Sequence, residues 1–178
     1  MSKKVLILHG WMGSPYPHWQ DWLAKELNSN NYDVRFPKLP NEKCPILDKW
    51  LVSIANILED FSPDIVVCHS LGNVLWFHIL NTMNIKTIDK LFLVAPVSLD
   101  CNIQELKTFF PYKVPHNLKS NKSYLIVSNN DEYMNINEAL SLEKELKDIN
   151  MIILNQAGHI NQNSGYTKFD DILKLIEK

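Results

Sequence analysis

The sequence predicts an α/β fold in a single domain, with one sheet of about six mainly parallel strands and helices on both faces. Three observations support this fold: short continuous apolar runs, segments of helical period between them, and no linker, repeat or low-complexity tract. A continuous apolar run is typical of a strand buried on both faces, and its alternation with helices favours a parallel sheet. The runs assigned to strands are 5–8, 34–36, 65–68, 91–95, 124–127 and 151–154.

Between these runs, apolar residues recur with the period of a helix that packs on a sheet. The first predicted helix carries Trp19, Trp22 and Leu23, and the pattern continues to Leu27. Later segments at 46–58, 71–83, 136–146 and 169–176 show the same periodicity. We expect Pro45 in the first turn of the second helix, where proline is favoured.

The length of 178 residues fits one domain spanning 1–178, and the chain is long enough to bury a substantial core. Residues 98–120 interrupt the alternation and predict a cap-like excursion, so the cap over any site is expected to be minimal. This segment carries an aromatic cluster, Phe109, Phe110 and Tyr112, that could line an acyl pocket or only bury the loop. The sequence favours neither role.

Composition excludes several classes of protein. Lys and Arg number 18 against 20 Asp and Glu, a net charge of −2, so no basic surface is expected to bind nucleic acid. No apolar run approaches the ~20 residues that span a bilayer, and the first run is too short for a signal peptide. Three scattered cysteines, Cys44, Cys68 and Cys101, predict a reduced cytoplasmic protein without disulfides or zinc.

A serine, an aspartate and a histidine, side chains that are common in catalytic sites, each follow one of the predicted strands. Ser70 follows the third apolar run, Asp131 the fifth and His159 the sixth. Ligands of open parallel sheets bind at the carboxyl ends of strands, so these side chains are expected at one edge. The order Ser, Asp, His along the chain is the order that a Ser-His-Asp hydrolase on this architecture requires.

The three residues predict nucleophilic catalysis. A serine hydroxyl needs a base to take its proton, so we expect Ser70 as nucleophile, His159 as base and Asp131 as the acid that orients the imidazole. Glu132 is a competing candidate for the acid, and Asp100 is a more distant one. The structural alternatives are a helix N-cap for Ser70, a polar turn for Asp131 and a surface loop for His159.

An acyl-transfer site also needs donors for the developing oxyanion. The backbone N–H of Leu71, at the start of a helix, is the expected first donor. The second is expected from the loop after the first strand, at Trp11, with Met12 as the alternative. Gly10 is expected to let the backbone turn sharply, so that this N–H faces Ser70.

The other histidines and the cysteine beside the site are expected to be structural. His69 cannot reach the Ser70 hydroxyl well, and His9 at a strand end is expected to be a hydrogen-bonded core residue. His18, His78 and His116 support no functional prediction. Cys68 lies before the exposed tip of the turn, so it is not expected to be a nucleophile. No metal-ligand spacing and no glycine-rich phosphate loop occurs, so no metal and no cofactor are expected.

The chain resembles an α/β-hydrolase and is similar to the small serine hydrolases of the retinoblastoma-binding-protein-nine / YdeN type. The resemblance extends from residue 5 to about residue 176, and it implies the same roles for Ser70, His159 and Asp131. The residues that carry it are His9-Gly10-Trp11, Trp19, His69-Ser70-Leu71-Gly72, Asp131 and Gly158-His159-Ile160-Asn161.

The sequence departs from this family at two places. Cys68 stands where the usual serine turn begins with Gly, and a residue this small is expected to preserve the turn. The nearest approach to a retinoblastoma-binding Leu-x-Cys-x-Glu motif is 99–103, which lacks the Glu. Binding of the retinoblastoma protein through that motif is therefore not expected.

The functional prediction is a serine hydrolase that cleaves a small ester, thioester or amide of a small-molecule acyl substrate through an acyl-enzyme. The main alternative is a catalytically silent hydrolase-fold protein that binds a partner protein. A second alternative keeps the triad and changes the reaction to C–C cleavage or acyl transfer. A shallow acyl pocket is expected, and oligomeric state is not predicted.

Overall fold

The computed structural model describes residues 2–178, and these form six strands, five α-helices and two 3-10 helices. The strands are β1 (Lys4–Leu8), β2 (Asp33–Arg35), β3 (Ile65–His69), β4 (Ile88–Val94), β5 (Ser120–Ser128) and β6 (Asn150–Leu154). The α-helices are α1 (Trp19–Ser29), α2 (Leu47–Phe61), α3 (Leu71–Thr82), α4 (Ile136–Leu146) and α5 (Asp170–Glu177). The 3-10 helices are Gln104–Phe109 and Gln162–Ser164.

The strands form one sheet in the order β2-β1-β3-β4-β5-β6, and every neighbouring pair is parallel. In its central register, Leu6 lies beside Val66, and Val66 lies beside Leu91. The predicted α/β fold with six parallel strands is confirmed. Because all strands run the same way, the loops after β1, β3, β5 and β6 leave the sheet at one edge.

The two faces of the sheet carry separate apolar layers, because successive strand side chains point to opposite faces. One face packs against α2, α3 and α4, and the other packs against α1 and α5. Helices therefore cover both faces, which is why the strands are apolar on both sides. Buried strand residues of the first layer include Leu6, Leu8, Val66, Cys68, Leu91 and Leu93, and those of the second include Val5, Ile7, Val67, Phe92, Val94 and Ile126.

The starts of β4, β5 and α2 differ from the sequence prediction. β4 begins at Ile88 and β5 at Ser120, before their apolar runs, because polar residues such as Lys90 and Lys122 continue the ladder. Helix α2 begins at Leu47 after an extended Ile46, so the expectation of Pro45 in its first turn is wrong. The backbone of Ile46 is in the β region, which ends the helix before it reaches the proline.

The excursion between β4 and β5 packs its aromatic residues inward. The Phe109 ring meets the Trp50 ring of α2 edge-on, with centroids 5.1 Å apart. The Tyr112 hydroxyl donates to the carbonyl of Val97 at 2.8 Å and its ring lies against Phe77. Phe109 and Tyr112 therefore bury the loop on the α2–α3 face.

No helix within residues 2–178 is long and apolar enough to span a bilayer.

Helix α3 approaches β1 so closely that only glycine fits at position 72, in the first turn of the helix. A Cβ on Gly72 would lie 2.7 Å from the carbonyl oxygen of Leu8 and 2.9 Å from that of His9. Both atoms belong to the backbone, so neither can rotate out of the way. The close approach fixes the start of α3, and with it Ser70, against the end of β1.

We expect Gly72→Ala to lower the free energy of unfolding by about 2 kcal/mol, the usual cost of overpacking. Urea unfolding of the two proteins measures the difference. Alanine is the better helix former, so an effect of helix propensity alone would have the opposite sign. A variant as stable as the wild type would show that the contact between α3 and β1 relaxes freely.

Candidate active site

Ser70 lies in the turn between β3 and α3, in a backbone conformation that side chains rarely adopt (φ 53°, ψ −125°). It occupies the N-cap position of α3, but its side chain makes no capping hydrogen bond. Its Oγ instead lies 2.8 Å from Nε2 of His159. The hydroxyl is therefore directed to the imidazole and not to the helix.

The backbone of this turn is held from both sides. The Ser70 N–H donates to the carbonyl of Val94 at 3.1 Å. The buried Asn73 side chain donates from Nδ2 to the carbonyls of Ser70 and Val94, each at 2.9 Å. These bonds join the turn to the end of β4, and they offset the cost of the strained conformation.

His159 is held between Ser70 and Asp131. Its Nδ1 lies 2.9 Å from each carboxylate oxygen of Asp131, and Oδ1 of that carboxylate also accepts the N–H of Tyr133 at 2.8 Å. Because a carboxylate only accepts, His159 carries its proton on Nδ1 when neutral. That leaves Nε2 unprotonated and free to accept from the Ser70 hydroxyl.

The competing acids lie elsewhere. Glu132 and Asp100 are both exposed, and neither hydrogen-bonds to His159. Among the carboxylates of residues 2–178, only Asp131 contacts the His159 ring by a hydrogen bond. Asp131 and His159 are both buried, so water does not compete strongly for this pair.

Two side chains from other parts of the chain hold the loop that carries His159 by hydrogen bonds to its backbone. Nε2 of His69 donates to the carbonyl of His159 at 3.0 Å. The indole N–H of Trp19, on α1, donates to the carbonyl of Ile160 at 2.7 Å. His69 therefore supports the loop from beside Ser70, in agreement with its predicted structural role.

A second set of hydrogen bonds joins the ends of β5 and β6, and sequence reasoning missed it. The Asn130 side chain accepts the N–H of Gly158 at 2.8 Å and the hydroxyl of Ser128 at 2.7 Å. The same hydroxyl oxygen accepts the N–H of Ala157 at 2.9 Å. The run of polar residues before Asp131 was the available signal, because short polar side chains commonly satisfy the backbone of a neighbouring loop.

Gly10 contacts Ser70 directly. A Cβ at this position would lie 2.6 Å from Cβ and 3.1 Å from Oγ of Ser70. The backbone turns directly after Gly10, where the N–H of Gly13 donates to the carbonyl of Gly10 at 3.3 Å, but Gly10 itself has no positive φ. The left-handed residues of this loop are Met12 (φ 68°) and Gly13 (φ 78°). Glycine is needed at position 10 because a Cβ there would meet Ser70, and not because Gly10 adopts a left-handed backbone conformation.

The backbone N–H groups of this loop differ in what they bind. Met12 donates its N–H to the carbonyl of Glu42 at 2.8 Å, so this group is already paired. The N–H of Trp11 makes no hydrogen bond to any residue between 2 and 178, while its indole donates to the carbonyl of Lys43 at 2.8 Å. Leu71 is the first residue of α3, where backbone N–H groups lack helical partners.

A cavity of about 350 Å³ opens beside Ser70 and His159. Its residues fall into an apolar wall and a polar wall. No Lys, Arg, Asp or Glu of the described chain lines it. The apolar wall includes Trp11, Val97, Leu106 and Tyr133, and the polar wall includes Ser14, His18, Asn161, Gln162 and Asn163. Phe109, Phe110 and Tyr112 lie outside the lining, so they bury the excursion and do not form the pocket.

Comparison with known proteins agrees with this arrangement of strand, turn and loops. A family model described as serine hydrolase matches residues 5–178. The chain belongs to the serine hydrolase family. YdeN of Bacillus subtilis (strain 168) is 25% identical over 184 residues, which cover 99% of this chain and 95% of YdeN.

Solved structures of low sequence identity show the same fold. The ydeN gene product from B. subtilis matches with a TM-score of 0.88 at 22% identity, covering 99% of this chain and 97% of that chain. A YdeN-like protein from Pectobacterium atrosepticum has a TM-score of 0.78 at 20% identity, with 98% and 89% covered. Est1E from Butyrivibrio proteoclasticus has a TM-score of 0.68 at 14% identity, with 99% and 90% covered. The expected α/β-hydrolase fold of YdeN type is confirmed.

Three other histidines of this serine hydrolase are kept neutral by burial. Burial lowers the pKa of His9, and lowers that of His18 to about 4, with His159 adding a smaller repulsion. Burial also holds the pKa of His69 well below its ordinary value, helped by the nearby His18. His9 donates from Nδ1 to the carbonyl of Gly10 and accepts at Nε2 from a backbone N–H, as expected for a core histidine.

Cys68, two residues before Ser70, is in an environment that makes its thiol unreactive. Cys68 is fully buried in β3, and burial raises its pKa well above the ordinary value of a thiol. A thiol that is not ionised is a poor nucleophile, so Cys68 does not compete with Ser70. No group of three or more metal-ligating side chains occurs in the part of the chain that the structure describes.

The neutral histidines make stability depend on pH. Above pH ~6.5 the imidazoles are neutral in folded and unfolded chains alike. As pH falls from 6.5 towards 4, the unfolded chain binds protons that the folded chain excludes, so the free energy of unfolding decreases. For His18, which faces His9, His69 and His159, the loss over this window amounts to about 3 kcal/mol.

We expect His18→Asn to reduce this acid sensitivity, since Asn preserves an N-cap and does not titrate. Urea unfolding at pH 7, 6 and 5 gives the slope for each protein. His116→Asn, which removes an exposed imidazole, is the matched control. Equal slopes in wild type and His18→Asn would contradict the assignment of a buried neutral imidazole at position 18.

Proposed function

We propose that this serine hydrolase cleaves a small, uncharged ester, thioester or amide through an acyl-enzyme. Ser70 is the nucleophile, His159 the general base, and Asp131 the acid that orients the imidazole. The observation that carries the proposal is the continuous hydrogen-bond chain from Ser70 Oγ to His159 at 2.8 Å and from His159 to Asp131 at 2.9 Å. Membership of the serine hydrolase family supports the reaction class.

In the first step, Oγ of Ser70 attacks the substrate carbonyl while Nε2 of His159 takes the hydroxyl proton. The imidazolium that forms is stabilised by the Asp131 carboxylate, which stays ionised. His159 then gives the proton to the leaving group, and the acyl group remains on Ser70. A water molecule, deprotonated by the same imidazole, releases the acid in the second step.

The oxyanion of each tetrahedral intermediate is stabilised by backbone donors. We assign the first to Leu71, because its N–H lies at the N-terminus of α3, where the helix dipole also favours negative charge. The second is assigned to Trp11, since the Met12 N–H already donates to the carbonyl of Glu42. Gly10 supports this assignment because its contact with Ser70 brings the Trp11 peptide beside the nucleophile.

A silent binding protein is the alternative that this geometry disfavours. A binding surface has no need of a serine in a strained turn with its hydroxyl on an imidazole. Strain at a site that the surrounding structure holds in place is typical of function. C–C cleavage and acyl transfer use the same triad, and product analysis of each turnover separates them from hydrolysis.

We also propose that residues 1–178 act as one domain in a reducing compartment such as the cytoplasm, with 98–120 as a cap-like segment. Leu106 of this segment lines the cavity, which supports its role as a cap. Cys44, Cys68 and Cys101 are all free thiols, which fits a reducing setting.

We expect a fluorophosphonate probe to label Ser70 in the wild type and to leave Ser70→Ala unlabelled. The variant should lose at least about 10⁴-fold in kcat on nitrophenyl butyrate. It should stay as stable as the wild type within about 0.5 kcal/mol, because the hydroxyl makes no capping bond. Ser141→Ala, an exposed serine on α4, is the control. Absence of labelling in the wild type would favour the binding-protein alternative.

We expect Asp131→Asn to lower kcat by about 10⁴-fold with the fold intact, the magnitude found when the orienting Asp of another triad enzyme is neutralised. Asn still accepts the Tyr133 N–H but no longer holds the Nδ1 proton of His159. Glu132→Gln is the matched control and should retain wild-type kcat, because Glu132 is exposed. Steady-state kinetics measures kcat of both variants. A large loss of kcat in Glu132→Gln, with Asp131→Asn unaffected, would assign the acid to Glu132.

A further inference from the structure

The cavity beside Ser70 lies at the carboxyl edge of the sheet and is lined mainly by loops. Val97 and Leu106 belong to the apolar layer between the sheet and helices α2, α3 and α4. The polar part of the lining comes from Ser14 and His18 in the loop before α1 and from Asn161, Gln162 and Asn163 in the segment before α5. The reaction mechanism uses no side chain of this polar wall. Its donors therefore require another explanation.

Ser14 has a buried hydroxyl without a partner. The residue is 5% exposed, it lines the cavity, and its Oγ makes no hydrogen bond in the described chain. An unpaired buried hydroxyl destabilises a protein relative to alanine, because its hydrogen bond to water is lost on folding. Such a group calls for an explanation, and an oxygen atom of a ligand in the cavity would supply the missing partner.

His18 presents a second donor on the same wall. Its Nδ1 accepts the N–H of Gln20 at 3.2 Å as the N-cap of α1, so the proton of the neutral ring is on Nε2. The Nε2–H makes no hydrogen bond to any residue between 2 and 178. The ring packs against His69 and Trp19, with centroids 5.0 and 5.6 Å away, and this packing fixes its orientation.

The two donors are positioned before any ligand binds. Pro15 and Pro17 lie between them, and proline restricts the backbone of this loop. The His18 ring stays neutral because burial lowers its pKa to about 4. No charged side chain of residues 2–178 lines the cavity, so no side chain there would compensate the full charge of an ionised ligand. The wall therefore offers neutral donors to a neutral acceptor.

We propose that Ser14 and His18 form a specificity subsite that binds an uncharged oxygen acceptor of the substrate, such as an ether, hydroxyl or carbonyl oxygen near the scissile bond. This inference rests on the proposed function, because it concerns the substrate of the same cavity. The substrate is a neutral ester, thioester or amide with a short apolar part on the Val97–Leu106 side. Its oxygen-bearing part lies against Ser14 and His18.

The test compares pairs of esters that differ by one ether oxygen in place of a methylene. Nitrophenyl methoxyacetate against nitrophenyl butyrate places the oxygen on the acyl side. 2-Methoxyethyl acetate against butyl acetate places it on the alcohol side. For each ester, kcat/KM is divided by the rate constant of hydroxide-catalysed hydrolysis, which removes differences in intrinsic reactivity.

In one of the two pairs we expect the wild type to prefer the ether by about fivefold or more, the worth of a typical hydrogen bond. Ser14→Ala and His18→Asn should each bring this ratio towards one, with the change mainly in KM. His18→Asn retains an N-cap residue. If that variant does not fold, Ser14→Ala alone decides. His116→Asn should preserve the wild-type ratio, since His116 is exposed outside the cavity.

Failure of this inference is distinguishable from failure of the proposed function. A wild type that labels at Ser70 and hydrolyses the alkyl esters, with ratios near one or unchanged in both variants, overturns the subsite alone. That result would mean that no substrate oxygen pairs with Ser14 or His18. A wild type that is neither labelled nor active overturns both proposals.

Discussion

The hydrogen bond between Ser70 Oγ and His159 Nε2 joins residues 89 positions apart, and the rest of the site is built around it. It exists only because β3 and β6 run in the same direction and end at the same edge of the sheet. The parallel direction of β3 and β6 does not by itself hold the two loops that follow them in place. The close packing of α3 on β1 fixes the serine turn, and the bonds from His69 and Trp19 fix the histidine loop.

Holding Ser70 and His159 in this geometry requires buried polar groups and a strained backbone, and both oppose folding. The turn at Ser70 is strained, and Asn73 keeps its Oδ1 buried without a partner in the described chain. His69 is buried as a neutral ring, so acid destabilises the fold where it supports the site. Two apolar layers, one on each face of the sheet, supply the opposing free energy.

The sequence alone could predict which strand ends carry the candidate catalytic residues, but it could not predict the contacts between the loops. Apolar runs locate strand ends, so Ser70, Asp131 and His159 could be placed at one edge from local pattern alone. The role of Gly10 could not, because its requirement comes from Ser70, a residue distant in sequence. The same holds for Asn130, whose partner Gly158 lies on another loop. Such requirements arise from tertiary distance and leave no periodic signal.

The apolar part of the cavity lining belongs to the apolar layer on the α2–α4 face of the sheet. The excursion lies on the α2–α3 face and therefore contributes Leu106 and an apolar surface. The segment leading into α1 contributes to both parts of the lining: Trp11 packs against the same layer as Leu106, whereas His18 lies at the start of α1 and caps that helix with Nδ1. Capping with one ring nitrogen orients the other as a donor. A local requirement of helix α1 thus determines the polarity of the cavity wall at His18, and we infer that it also determines which substrates enter.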